Sequence, residues 1–372
     1  MKNKIEFFLD RDVYSILGLP FDFVSLDDAI DIVGKAIEQE QPCFLSTPNL
    51  NFAIATQSDD AFFQSVVESD LSVADGMPLI WVAKLLGIPL PERVAGSTLF
   101  DELSKQEGIS KKIRVFFFGG QQGVAELAHQ KLNETSVAME SCGFYDPGFV
   151  FVDEMSDSRI IEQINRCEPD FIVVALGARK GQEWIQKNKE KLNAPVISHL
   201  GAVINFVAGN VERAPVVWQR FGMEWLWRIR QEPTLWKRYL FDGFAFLRLL
   251  VLNVLPLAIY DRILRRSECF NEACEIELEP KQKVKIKLMG SIHHQTMQQL
   301  KQELSIVIEE YEDDVVIECE QLTYVDSAFI ATMLLFQRYL NKQGRALVLD
   351  NVSSRIIRIL RLSSAIKRFT LL

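Results

Sequence analysis

The stretch RVFFFGGQQGVAELA, residues 114–128, determines the expected fold of this 372-residue chain. An apolar run, typical of a fully buried β-strand, leads into a Gly-Gly-x-x-Gly turn at 119–123 and then into a helical pattern. Two more apolar strands, at 171–176 and 196–199, also run into glycine and precede helix-like sequence. Such alternation predicts the α/β class, a Rossmann-like and mostly parallel sheet with helices on both faces.

The alternation extends toward the N-terminus. Ser25 followed by Asp28 predicts a capped helix. Shorter elements should follow it: strands at 43–47 and 71–73, and helices around 51–67 and 77–86. Ligands of such folds bind beyond the carboxyl ends of the strands, so the polar loops there are the candidate site.

Composition limits the classes of function. The net charge is −9 and the pI is near 5.2, so we expect no nucleic-acid partner. Six cysteines without paired spacing indicate a reduced, cytoplasmic protein, and the apolar run 5–9 is too short for a signal peptide. The segment 212–266 differs, with ten basic against five acidic side chains.

This basic segment is also rich in aromatic residues. Four of the six tryptophans lie in it, among Arg220, Arg228, Arg238 and other basic residues. Its second half carries one apolar helical stripe: Leu240, Phe244, Leu247, Val251 and Val254. The longest uncharged run, 249–260, is far below the ~20 residues of a membrane span. We predict a helix lying on an anionic bilayer, not a transmembrane helix; the alternative is a helix packed on the enzyme core or in a homo-oligomer interface.

Polar sequence at 267–283 predicts a linker, and the rest a second, small α/β domain. The predicted domains are a core at 1–212, its membrane-associating appendage at 213–266, the linker, and the small domain at 284–372. In the small domain we expect strands at 284–288, 315–319 and 346–349 and helices at 296–310, 327–341 and 353–362.

Three polar patches end strands or begin helices of the core: STPNLN (46–51), SVADGMP (72–78) and PERVAGSTLF (91–100). Asp75, after an apolar strand, could serve as a general base or merely cap the next helix. The turn at 119–123 could hold a phosphate or be a plain β–α turn. In ALGARKGQEWI (175–185), Gln182 and Glu183 could grip a sugar hydroxyl or cap a helix. No D-x-D acidic pair follows a strand, so we expect no metal; arginines and helix dipoles would stabilise a departing diphosphate.

These patches, taken together and in order, resemble the WecG/TagA/CpsF family of bacterial glycosyltransferases. The resemblance covers nearly all of residues 10–262 and includes STPNLNF, ADGMPLIW, ERVAGS, FFFGG, GFYDPGF, PDFIVVALGARKGQEWI, GAVINFVAGNVERAP and GMEWLWRIRQEP. It implies metal-independent, inverting transfer of N-acetylmannosamine, its uronic acid or a related sugar from a UDP donor. The implied acceptor is a polyprenyl-diphosphate-linked sugar at the inner face of the cell membrane, and no cofactor is implied.

The resemblance also implies roles for residues. Asp75 would deprotonate the acceptor hydroxyl, and Arg228 and Arg238 would close over the site and neutralise the UDP diphosphate. Asn205 stands where relatives often carry an acidic residue, which implies a neutral contact to the donor. The remaining expected substrate-binding residues are Thr47, Asn49, Arg93, Gly96, Gly119, Gly120, Gln182 and Glu183.

The C-terminal domain resembles STAS domains through its βαβαβα order and the loop LTYVDSAFIATMLL (322–335). Phosphorylated STAS domains carry D-S-S-G or D-S-T-G, whereas this chain reads Asp326-Ser327-Ala328-Phe329. We therefore expect no phosphorylation there, and instead docking of a protein partner through the helix that begins at Ser327.

Two rival functions remain at this stage. A degenerate transferase fold could act as a membrane-bound regulatory or scaffold protein that signals through the STAS domain. A nicotinamide-dependent dehydrogenase would explain the glycine turn but leaves the basic aromatic segment without a purpose. Release of UDP from UDP-sugars in the presence of a lipid-linked acceptor discriminates among these functions.

Overall fold

A computed structural model describes residues 8–106, 111–215, 217, 218, 222–280 and 284–372. Arg220 and residues 281–283 of the predicted linker lie outside this range. The chain forms two compact units. The first, called here the core unit, comprises Val24–Pro78 and Pro91–Asp242; the second, called the C-terminal unit, comprises Met1–Phe23, Leu79–Leu90 and Gly243–Leu372.

The core unit is built on a six-stranded parallel sheet, which confirms the predicted fold class. Its strands are Cys43–Ser46 (β3), Leu71–Ser72 (β4), Ile113–Gly119 (β5), Met139–Tyr145 (β6), Phe171–Ala175 (β7) and Val196–His199 (β8). They stand in the order β4-β3-β8-β7-β5-β6. The strand β6 was not predicted, because its pattern is only partly apolar at the sheet edge.

Helices cover both faces of this sheet, and each face has its own apolar core. The helices are Leu26–Glu38, Leu50–Ala55, Asp60–Val67, Gly96–Lys105, Val124–Thr135, Val152–Met155, Ser158–Arg166, Ala178–Asn188, Val203–Val207 and Glu224–Gln231. The helix Met77–Leu85 begins in the core unit, and its residues from Leu79 belong to the C-terminal unit. Ser25 and Asp28 form the predicted cap as a reciprocal capping box. The single helix predicted at 51–67 is two helices, since Asp59 caps a new one.

The C-terminal unit contains a second sheet, in the order β12-β10-β11-β13-β14, with β9 paired to β10. Its strands are Glu275–Pro280 (β9), Val284–Ile292 (β10), Val315–Glu318 (β11), Leu322–Val325 (β12), Leu347–Asp350 (β13) and Thr370–Leu371 (β14). Its helices are Glu268–Asn271, Met297–Glu310, Ser327–Lys342 and Ser354–Leu362. The predicted linker therefore holds a helix and a strand, because β9 satisfies its backbone groups against β10.

An N-terminal hairpin also belongs to the C-terminal unit. Its antiparallel strands are Val13–Ile16 (β1) and Leu19–Asp22 (β2), joined at Leu17 and Gly18. Both residues at the turn have positive φ, +53° and +84°, as a two-residue hairpin turn requires.

A 32-residue helix, Pro233–Leu264, is called here the tail helix. Its first part ends the core unit and its second part, from Gly243, belongs to the C-terminal unit. Within the described residues it is the one helix long and apolar enough to cross a membrane by length and composition. The 12-residue uncharged run does not exclude a span by length, because a longer window that tolerates Arg248 is apolar enough.

Candidate functional site

The three polar patches meet at the carboxyl edge of the core sheet. Val73 N–H donates to the carbonyl of Ser46 (3.0 Å), Asp75 N–H to that of Pro48 (3.0 Å), and Val94 N–H to that of Ala74 (3.1 Å). These backbone bonds join stretches that lie far apart in sequence. They fix the loop after β3 and the loop after β4 as adjoining walls of one site.

Asp75 lies between these walls and is partly exposed. The helix that follows begins at Met77, which makes Gly76 its flanking residue and leaves Asp75 outside the capping position. Withdrawal from water raises the pKa of Asp75 above its ordinary value; the charges of Arg93 and Arg228 and the N–H of Gly96 oppose the rise, and the charge of Glu224 adds to it. A carboxylate with a raised pKa is a stronger base than an ordinary aspartate.

Two arginines reach Asp75 electrostatically. The Arg93 guanidinium, only 13% exposed, forms a two-pronged ion pair with Glu224 at 2.7 and 3.3 Å. Arg228 lies over the ring of Phe206, 5.4 Å from its centroid. The site therefore holds two positive and two negative groups, so an anionic ligand could replace Glu224 as the partner of Arg93.

Close packing positions the other residues of these walls. Gly96 opens its helix against Thr47: a Cβ at Gly96 would lie 3.1 Å from Cγ2 of Thr47 and 2.5 Å from Cδ2 of Leu200. Without a side chain, Gly96 brings its N–H to Asp75. Asn49 caps the next helix, accepting from the N–H groups of Asn51 (3.0 Å) and Phe52 (3.3 Å).

Gln182 and Glu183 lie within the helix Ala178–Asn188, not at its start as expected. Gln182 is buried and donates to Oγ of Ser46 (2.9 Å), which also accepts from Ser69 (2.5 Å). Gln182 therefore stabilises the end of β3, directly before Thr47. Glu183 is exposed on another face of that helix.

The glycine turn is explained by packing. A Cβ at Gly119 would lie 2.7 Å from Cδ2 of Leu176, and the N–H of Gly120 donates to the carbonyl of Ala175 (2.8 Å). That N–H is therefore not free to face a phosphate, and here the plain β–α turn describes the glycines better. Sequence alone could not assign this donor, because its acceptor lies on a neighbouring strand.

Two further candidate residues lie apart from these contacts. Asn205 is half-buried in the short helix Val203–Val207, next to Phe206. Arg238 is exposed, stacks over Tyr239 at 5.1 Å and interacts with the charge of Asp242. The structure thus brings Arg228, rather than Arg238, to Asp75.

Sequence reasoning missed three features of the site. Nothing in the motif GMEWLWRIR assigns a role to Glu224, because its ion-pair partner Arg93 lies 131 positions away in sequence. Asn51 donates to both carboxylate oxygens of Asp242 (3.2 Å each), which ties the tail helix to the loop after β3. Burial lowers the pKa of His199, at the end of β8, to about 4, so this imidazole is neutral at pH 7.

A groove lies beside this site in the core unit. Its lining includes Ser97, Phe100, Asp101, Phe206 and Arg213. Two of its lining residues neighbour residues of the site: Ser97 follows Gly96 in sequence, and the ring of Phe206 lies under Arg228. Arg213 is held at its rim by Asp101 (2.8 Å) and Thr98 (2.8 Å).

Comparison with known proteins identifies the class. The family model described as Glycosyl transferase WecG/TagA/CpsF family matches residues 14–258, more than half of the chain, so the protein is a glycosyltransferase. The chain belongs to the WecG/TagA/CpsF family, as the motifs indicated. A second model, described as Mlab, STAS domain, matches residues 278–369.

Individual proteins similar to this chain have also been characterised by name. Two proteins named N-acetylglucosaminyldiphosphoundecaprenol N-acetyl-beta-D-mannosaminyltransferase are similar to this chain. The one from Bacillus spizizenii is 30% identical over 205 residues, 55% of this chain and 77% of the relative. The one from Bacillus subtilis is 29% identical over 227 residues, 61% of this chain and 86% of the relative.

Proposed function

We propose that this glycosyltransferase moves a sugar of the N-acetylmannosamine type from a UDP donor to a polyprenyl-diphosphate-linked sugar in bacterial surface-polymer synthesis, with inversion and without a metal. The observation that carries the proposal is the placement of Asp75, a partly exposed carboxylate at the carboxyl edge of the sheet, within the electrostatic reach of Arg93 and Arg228. The names of the relatives supply the substrate classes.

In the proposed reaction, Asp75 is the general base. The acceptor hydroxyl oxygen attacks the anomeric carbon of the donor sugar while its proton passes to the carboxylate of Asp75. The bond from the anomeric carbon to the diphosphate oxygen breaks, and UDP departs with the electron pair. Attack opposite the leaving group inverts the anomeric centre, and a base with a raised pKa matches the proton transfer.

The arginines meet the charge that develops on the departing diphosphate. Arg228 is available through its open stacking on Phe206, whereas Arg93 is first released from Glu224. Preorganised cations at a developing anion are worth about 10²–10³ in rate. Arg238, exposed on the tail helix, would join them only after this part of the chain moves.

The tail helix is the proposed membrane contact of the protein. Its large apolar side chains point outward: Trp236, Leu240, Phe241, Phe244, Leu247, Val251, Leu252, Leu255, Ile259 and Ile263 are 39–74% exposed. Basic residues flank this face, as in helices that lie on anionic bilayers.

The helix lies on the membrane rather than across it. Along its second half, Asn253 donates to the carbonyl of Arg361 (3.4 Å) and the ring of Tyr260 lies under Arg358 (4.5 Å). Both arginines belong to the polar-faced helix Ser354–Leu362, which could not accompany the tail helix into hydrocarbon. The protein is therefore peripheral, at the face where UDP-sugars are available.

The test is a direct assay of the full chain. The protein is incubated with a panel of UDP-sugars and a short-chain lipid-diphosphate acceptor, with and without EDTA, and products are identified by mass spectrometry and anomeric NMR. The proposal expects an inverted disaccharide product that EDTA does not diminish. A retained configuration, or loss of activity with EDTA that metal restores, would contradict the mechanism. UDP binding without turnover across the panel would favour the scaffold function instead.

A further inference from the structure

The helix expected to dock a protein partner is already covered. In Ser327–Lys342, ten residues are buried: Ala328, Phe329, Ile330, Ala331, Thr332, Met333, Leu334, Leu335, Phe336 and Leu340. An amphipathic surface helix buries one stripe and leaves the rest to solvent. Burial all round means that this helix is packed both on its own sheet and on something beyond it. Both strands of the N-terminal hairpin contact this helix.

Specific contacts hold the hairpin region to the STAS domain. The ring of Phe8 stacks on Tyr339 with centroids 5.4 Å apart. Lys301 donates to the carbonyl of Arg11 and to the carboxylate of Asp12, both at 3.0 Å. At the other end, the hairpin turn lies against the STAS backbone, because a Cβ at Gly18 would come within 2.7 Å of the carbonyl oxygen of Ser364.

The strand that leads to the Ser327 helix contacts the tail helix. Tyr324, at the end of β12, donates its hydroxyl to Asp261 (2.5 Å), which also pairs with Arg265 (2.6 Å). Burial and the charge of Asp261 raise the pKa of Tyr324, so its hydroxyl keeps the proton that it donates. The guanidinium of Arg265 lies 6.0 Å from the centroid of the Tyr324 ring.

The inner face of the tail helix is apolar and buried here. Val254, Leu257, Ala258 and Leu264 are at most 9% exposed, and the helix Ser354–Leu362 packs against this segment. The opposite face carries the exposed side chains described above. The second half of the tail helix is therefore two-faced: one face is held by the STAS domain and the other is open to a membrane.

We propose that the STAS domain of this protein has its partner in its own chain. Its interaction surface, the Ser327 helix with Tyr324 and the helix Ser354–Leu362, is occupied by the N-terminal hairpin and by the tail helix. The domain thus braces the membrane-facing helix and is closed to an outside protein at this surface. The inference concerns contacts and folding only and does not depend on which sugar is transferred.

Covalent connection favours this occupant over a separate protein. The tail helix ends at Leu264 and β9 begins at Glu275, so a short segment joins the two partners. Within it, Cys269 accepts from Thr323 (2.9 Å) through its carbonyl. A short tether raises the effective concentration to the millimolar range, and a soluble competitor must exceed it.

Two pairs of variants of the full chain test the proposal by hydrogen–deuterium exchange. Gly18→Ala is paired with Gly148→Ala: both glycines have positive φ (+84° and +70°), but only Gly18 has an atom within 4 Å of an added Cβ, and Gly148 belongs to the core unit. Tyr324→Phe is paired with Tyr311→Phe, a tyrosine of the same domain that ends the helix Met297–Glu310.

The proposal expects Gly18→Ala to speed amide exchange in the Ser327 helix, and Tyr324→Phe to speed it in 257–264. Loss of one hydrogen bond corresponds to about fivefold faster exchange. The control variants should leave both segments unchanged. Equal effects of Gly18→Ala and Gly148→Ala, or unchanged exchange at 257–264 in Tyr324→Phe, would overturn it. Should Gly18→Ala not fold, Phe8→Ala, which removes the ring stacked on Tyr339, replaces it with the same expected result.

Discussion

The same local arrangement, a short parallel strand that ends in aspartate before a helix, occurs in both units with opposite outcomes. Asp326 follows β12 and caps the Ser327 helix, accepting from Ala328 (2.9 Å) and Phe329 (3.0 Å), while His294 N–H donates to its second oxygen (2.9 Å). Asp75 follows β4, but Gly76 stands between it and the helix. One inserted glycine separates a structural carboxylate from an available one.

The two carboxylates also differ in the groups that surround them. Backbone N–H groups of the helix that follows Asp326, and the N–H of His294 just after β10, donate to its carboxylate. Asp75 instead faces the side chains of Arg93, Glu224 and Arg228, which come from distant parts of the core unit. A capped carboxylate contributes stability, whereas one that is withdrawn from water and raised in pKa is suited to accept a proton. Geometry, rather than residue type, distinguishes the two roles.

The largest difference in kcat should separate two single variants, in which either Asp75 or Asp326 is replaced by alanine. Asp75→Ala should lower kcat by at least about 10²-fold, the scale of a lost general base. Asp326→Ala should leave kcat within about a factor of two and instead lower the free energy of unfolding by ~1 kcal/mol, as loss of an N-cap does. Steady-state assays and urea unfolding of both variants measure this. Similar kcat values for the two variants would remove the distinction.

A second comparison lies within one helix, Glu224–Gln231. Arg228→Ala should lower kcat by about 10²-fold, because it removes a cation that faces the departing diphosphate. Arg230, exposed and stacked on Trp227 at 5.8 Å, is the matched control, and Arg230→Ala should have little effect. Binding of UDP by calorimetry, measured beside turnover, separates loss of donor affinity from loss of rate. Equal losses in both variants would mean that only the overall basic charge matters.

The exposed face of the tail helix should show a smaller effect, on membrane binding. Phe244→Asp, at a side chain 65% exposed, should weaken binding to anionic vesicles at least about tenfold, because burial of one phenylalanine stabilises by roughly 1.5–3 kcal/mol. Phe151, 79% exposed in the core unit, provides the control as Phe151→Asp. Vesicle flotation measures both. Unchanged binding of Phe244→Asp would place the membrane contact elsewhere.

The smallest effect concerns stability. The folded-state pKa of Asp75 is raised, so its contribution to stability is full below the unfolded-state pKa and is lost as pH rises through the folded-state pKa. At pH 7 the folded protein therefore bears the cost of a withdrawn charge. Asp75→Asn should raise Tm at pH 7 and leave it unchanged near pH 3, with about 1.4 kcal/mol gained per unit of pKa shift. An unchanged Tm at pH 7 would show that the carboxylate is well solvated, and a lower Tm that the arginines stabilise its charge more than burial destabilises it.

Much of the fold followed from sequence because the deciding signals are local. Apolar strands running into glycine placed β5, β7 and β8, and a serine–aspartate pair placed the first capped helix. The N-terminal hairpin and β9 were not predicted, because pairing with other strands determines where they form. The register of β9 comes from β10, and a polar strand of this kind has no apolar pattern of its own.

The site was predictable to the extent that its loops follow strands. The polar patches that contain Asp75, Thr47 and Asn49 were expected to form the site, because ligands of such folds bind beyond the carboxyl ends of the strands; the roles of the single residues came from the family resemblance. Glu224 was not found, since an ion pair across 131 residues leaves no local pattern. The role expected for Gly120 failed for the same reason: the acceptor that occupies its N–H belongs to another strand.

The central claim, that Asp75 is a desolvated base tuned by its charged neighbours, is tested most directly by the pH dependence of kcat/KM. We predict an acid limb above the ordinary aspartate pKa of ~3.9, moving to lower pH in Glu224→Gln, since the Glu224 charge raises the pKa of Asp75. Glu232→Gln, at an exposed acid of the same segment, should leave the limb in place. An acid limb at the ordinary value, or one that Glu224→Gln does not move, would contradict the account.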